Sequence, residues 1–126
     1  MAIPAAADVV TFILTRDRAA STAWYRDTLG LPAPSEDGFA TVFALPRCTL
    51  RITEIPGHEA TPHPVLGWTV PDIEGTIRAL VAKGVAMTVY PGFGQDELGV
   101  WTSPDGKAKV CWFPDPDGNV LSLTQC

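Results

Sequence analysis

Twice along this chain a β-rich run leads into a helical stretch and then into further strands. That repeat limits the fold more than any other feature. The first copy opens with "VVTFILTRD" (9–17). It continues through "RAASTAWYRDTLGL" (18–31), where Ala20, Ala23, Trp24 and Leu29 share a helical face and Gly30 suits the stop. The strands "FATVFAL" (39–45) and "CTLRITEI" (48–55) follow, joined by a Pro46-Arg47 turn. After the linker "GHEATPHP" (57–64) the order starts again with "VLGWTV" (65–70). Asp72 is placed to cap a helix whose stripe is Ile73, Ile77, Leu80 and Val81, and Gly84 to end it. A strand is predicted over 85–91, then a hairpin over 98–113 turning at Pro104-Asp105-Gly106, then a last strand after Asp117-Gly118. The pattern predicts an α+β fold of two tandem βαβββ modules, the first over about 8–56 and the second over 65–126. Two such half-sheets can face each other and enclose a cleft.

Composition narrows the partners. With 126 residues, 46% hydrophobic and 18% charged, the chain has the apolar material for a core and is not expected to be disordered. Its net charge of −5 and its scattered Lys and Arg argue against nucleic acid or an anionic membrane, which need clustered cations. "MAIPAAADVV" has neither a basic leader nor a long apolar run, so no signal peptide or membrane span is expected. Three cysteines, Cys48, Cys111 and Cys126, make no disulfide framework, and a reducing cytoplasm is the expected setting.

Three segments carry a family resemblance. "WYRDTLGL" after the first strand and "DPDGNVLSL" near the C-terminus resemble signatures of the vicinal oxygen chelate superfamily, and "VLGWTVPDIEGTIRALVAKGV" (65–85) resembles its middle strand and helix. The superfamily includes glyoxalase I, extradiol dioxygenases, fosfomycin-resistance enzymes and bleomycin-resistance proteins. The resemblance spans essentially the whole chain and implies paired βαβββ modules that form a curved mixed sheet around a cleft, usually in a homodimer.

It also implies four strand positions for metal ligands, commonly His and Glu. The first lies fifteen residues before the signature tyrosine, and counting back from Tyr25 gives Val10. The others fall on Arg51, Val65 and Ser122. Zn²⁺, Fe²⁺ and Mn²⁺ want imidazole, carboxylate or thiolate, and a fixed cation at Arg51 repels them. Neighbouring residues supply nothing better. No metal and no cofactor are expected, which puts glyoxalase or dioxygenase activity in doubt.

Strand alternation groups other residues with these positions. Val10 goes with Phe12 and Leu14, Arg51 with Thr49 and Thr53, and Ser122 with Val120 and Thr124. Such a wall suits a flat, partly polar organic molecule; plain core packing of Val10, Phe12 and Leu14 is the competing reading. Trp24 and Trp68 read as core. Trp101, in a polar glycine-flanked stretch, is placed at a cleft mouth or in hairpin packing, and the side of Trp112 is left open. Arg51 suits an anionic oxygen of a ligand or an ion pair with an acidic side chain. In "YPGFGQDELG" (90–99), Gln95, Asp96 and Glu97 are within reach of a ligand or form a solvated acidic loop. His58 and His63 read as linker surface, and Cys111 as a buried thiol.

The expected function is metal-independent binding and sequestration of a planar hydrophobic small molecule, such as an antibiotic or other natural product, by a cytoplasmic homodimer. Its site would be Val10, Phe12, Leu14, Arg51, Thr53, Val65, Trp101, Trp112 and Ser122, with no catalytic residue. The alternative is a cofactor-free isomerase or lyase in which Arg51 stabilises an oxyanion and Asp96 or Glu97 acts as base.

Overall fold

The computed structural model describes residues 2–126; Met1 lies outside the described residues. The chain divides into two compact units, Met1–His58 and Glu59–Cys126. Each has the order strand, helix, three strands.

In the first unit β1 (Val9–Thr15) leads to α1 (Arg18–Ala23), then β2 (Ser35–Glu36), β3 (Thr41–Leu45) and β4 (Cys48–Glu54). Asp17 caps α1 by accepting from Ala20 N. The expected helix over 18–31 is shorter and changes pitch. Trp24–Thr28 forms a π-helical turn, with Leu29 N donating to Trp24 O, and this wider winding brings Tyr25 into the core. The sheet order is β1-β4-β3-β2, with β1 parallel to β4 and the other pairs antiparallel. Ile13, Phe43, Leu50, Ile52 and Tyr25 are fully buried.

In the second unit β5 (Pro64–Thr69) precedes α2 (Ile73–Ala82), β6 (Trp101–Thr102), β7 (Lys109–Pro114) and β8 (Val120–Gln125). Asp72 caps α2 through Gly75 N, as its position predicted, and Ile73, Ile77 and Leu80 are buried. The helix stops at Gly84, whose φ of 92° is costly for residues with a Cβ, and Val85 N closes the end on Leu80 O. The sheet order is β5-β8-β7-β6, again with the first pair parallel. Leu121, Leu123, Cys111 and Phe113 are the buried side chains of β8 and β7.

The strand expected over 85–91 does not form. Thr88 N reaches Trp112 O, but the Gln95 side chain takes the neighbouring groups: it accepts from Tyr90 N and donates to Thr88 O and Gly99 O. A side-chain amide thus satisfies backbone groups that a strand partner would have used. The hairpin at 104–106 forms as expected, with Gly106 N on Ser103 O and Ser103 N on Ala108 O. No helix among the described residues is long and apolar enough to cross a membrane.

Candidate functional site

Strand register sorts the predicted residues onto the sheet faces turned away from the buried cores. In the first unit Val10 lies opposite Thr49, Phe12 opposite Arg51 and Leu14 opposite Thr53. Val42 and Ala44 of β3 extend the rows from Arg51 and Thr49. The apolar members of β1 are exposed: Val10 by 49%, Phe12 by 61% and Leu14 by 38%. They do not pack a core. A stripe of aligned apolar side chains on an edge strand, left in water, asks for a partner.

Arg51 is held from the side. Its Nη2 donates to Asp37 Oδ2 at 2.7 Å, and the pair is partly exposed. Asp37 Oδ1 accepts from Phe39 N and Ala40 N at 2.8 and 2.9 Å. The Phe39 N–H first, then Arg51, then the Ala40 N–H hold this carboxyl down from 3.8 to about 2. A carboxylate with a depressed folded-state pKa stabilises fully above its unfolded value, and the contribution is lost as pH falls through the folded one. Resistance to urea is therefore expected to fall between about pH 4 and pH 2. Asp37→Asn should remove that part of the decline; an unchanged acid profile would show that the carboxylate adds nothing.

In the second unit Ser122 sits between Gly67 of β5 and Trp112 of β7. The next row holds Thr69, Thr124, Val110 and Trp101. Trp112 therefore shares its face with Ser122, which alternation alone could not decide. Val65 falls at a β-bulge between Pro64 and Leu66, so Gly67 is the β5 residue opposite Ser122. Tyr90 and Phe93 stand nearly edge-on to Trp112, with ring centroids 5.6 and 6.0 Å away. Phe93, which no sequence signal singles out, is drawn in by the bends at Gly92 and Gly94. Trp68, expected in the core, lies opposite the buried Leu123 on the other face but is itself only half-buried.

Several polar candidates are engaged in structure. Gln95 staples its own loop, and Asp96 Oδ1 accepts from Leu98 N and Val100 N at 2.9 Å each. Cys111 is fully buried, and burial pushes its thiol up to about 11, which leaves almost no nucleophilic thiolate at neutral pH. Among the described residues no three His, Cys, Asp or Glu gather into a possible metal cluster. The side chains at Val10, Arg51, Val65 and Ser122 do not fit a divalent transition metal. A separate depression of about 250 Å³ lies between α2 and the following loop, lined by Ile77, Val81, Met87, Val89, Glu97 and Leu98 among others. Glu97, a candidate base of the alternative reading, lines it, but none of the nine residues expected to bind the ligand does.

This architecture, a repeated βαβββ unit with open sheet faces, defines the class. The model of the Glyoxalase/Bleomycin resistance protein/Dioxygenase superfamily matches residues 7–123, and the chain belongs to that superfamily. No curated protein matches the chain. Among solved structures it is similar to a lactoylglutathione lyase from Agrobacterium tumefaciens, at 20% identity and TM-score 0.71, over 97% of this chain and 95% of that one. It is similar to the oxidase ChaP-H1 at 23% identity and TM-score 0.68, over 93% of each chain. A glyoxalase/bleomycin resistance protein from Catenulispora acidiphila matches at 22% identity and TM-score 0.66, over 94% of this chain and 97% of that one. At these identities the likeness establishes the fold, and the differing names show that the fold alone does not select a chemistry.

Proposed function

We propose that this protein binds and sequesters a planar, hydrophobic small molecule without a metal, as a homodimer, in the manner of a drug-resistance binding protein. The observation that carries the reading is the exposed Val10–Phe12–Leu14 stripe beside the Thr49, Arg51 and Thr53 side chains. Apolar surface of this kind supplies affinity, and a few fixed polar groups supply orientation. The unsuitability of Val10, Arg51, Val65 and Ser122 as metal ligands supports it. So does the likeness to a structure described as a glyoxalase/bleomycin resistance protein. The lyase or isomerase alternative has less support: Arg51 is tied to Asp37, and Asp96 is committed to its turn.

The test combines metal analysis, native mass spectrometry and equilibrium dialysis with 2-naphthol as a flat probe. A metal-free dimer that binds the probe unchanged is expected. Phe12→Ala should weaken binding about tenfold or more, the scale of losing a buried aromatic contact. Stoichiometric bound metal, conversion of the probe, or full affinity in Phe12→Ala would overturn the reading.

A further inference from the structure

The open face of the second unit bears on which flat molecules the protein takes, and its role here rests on the proposed binding function. A Cβ built on Gly67 would collide with the Ser122 hydroxyl oxygen and lie 3.1 Å from the Ser122 carbonyl oxygen. The Ser122 side chain therefore leans over Gly67, toward β5. Because β8 lies between β5 and β7, that lean carries it away from Trp112. Gly67 makes it possible, since a side chain at that position would push the hydroxyl back.

On the far side of Trp112 the rings of Tyr90 and Phe93 brace the indole edge-on. Their loop joins β7 on its side away from β8, where Thr88 N meets Trp112 O. The indole is thus fixed from one side, and the serine leans away on the other. Ser122 and Thr124 are half-buried, and none of the hydrogen bonds named for this unit engages their hydroxyls. Stacking on a fixed indole favours a flat ring. A hydroxyl freed beside it favours a ring with a polar group on its edge, since such a group would restore a hydrogen bond that burial otherwise costs.

We propose that Trp112, Ser122 and Gly67 form a selectivity slot for flat aryl ligands carrying a hydroxyl or carbonyl on the ring edge. The ring stacks on Trp112 and its edge oxygen bonds the Ser122 hydroxyl. Gly67 keeps that hydroxyl clear of the ring.

Equilibrium dialysis with 2-naphthol and naphthalene tests this. The wild type should prefer 2-naphthol about fivefold, the scale of one net hydrogen bond. Ser122→Ala should abolish the preference by lowering 2-naphthol affinity to the level of naphthalene. Gly67→Ala should weaken both probes by turning the hydroxyl toward Trp112. Adding Ser122→Gly to Gly67→Ala should restore naphthalene binding without the preference, which separates slot closure from misfolding. Equal wild-type affinities, a preference that survives in Ser122→Ala, or unaltered binding in Gly67→Ala would each overturn the slot. If those occur while Phe12→Ala still weakens 2-naphthol, sequestration stands and only the slot falls. A wild type that binds neither probe defeats both.

Discussion

Tyr25→Ala is expected to lower the unfolding free energy by about 3–5 kcal/mol, the usual range for emptying a buried aromatic site. The ring is fully buried; it meets Trp24 edge-on at 5.0 Å and Phe43 at 6.5 Å. It also fastens the π-helical turn to β3, so its loss leaves both a cavity and an unanchored turn. Tyr25→Phe keeps the ring and should lose far less. Urea unfolding followed by far-UV circular dichroism would measure both variants. A loss below about 1 kcal/mol for Tyr25→Ala would show that the site collapses and that the turn is held elsewhere.

Asp115→Ala is expected to cost about 3 kcal/mol, from charged hydrogen bonds worth about 1.5–3 kcal/mol each and only partly replaced by water. Asp115 is buried, at 5% exposure, in the turn that delivers the chain into β8. Its Oδ1 accepts from Asp117 N and Asn119 N, and its Oδ2 accepts from Asn119 Nδ2 at 2.8 Å. Alanine strands donors on Asn119, which is itself buried. Asp115→Asn retains an acceptor for the backbone and should fall between the two. Thermal unfolding would rank the three proteins, and equal midpoints would remove Asp115 from the account of this turn.

Tyr25 and Asp115 belong to two of the three segments on which the family resemblance rests. Both act on the fold, not on chemistry. That explains why membership was readable while activity was not: the motifs preserve a packed turn and a hydrogen-bonded turn, and these serve enzymes and binding proteins alike.

What the sequence determined by itself is what neighbouring residues encode. β-rich runs placed β1 and β4, the Pro104-Asp105-Gly106 turn placed the hairpin that holds β7, the Asp72 carboxylate and Gly84 bounded α2, and Asp117-Gly118 marked the turn into β8. These signals lie within a few residues of what they specify. The two-residue β2 is too short to show a period, and α1 is cut short by a change of pitch that helical spacing does not announce. The strand expected over 85–91 failed because Gln95, farther along the chain, claims its backbone groups.

The candidate site was legible only as pairs of alternating residues. Tertiary structure decided that Phe12 stands in water, that Asp37 holds Arg51, and that Trp112 shares a face with Ser122. It also set Gly67 rather than Val65 across from Ser122, through a one-residue bulge. Each of these depends on strand register between segments far apart in the chain. A one-residue slip there reverses every side chain, and the register is set by which faces of both strands are buried together, not by either strand alone.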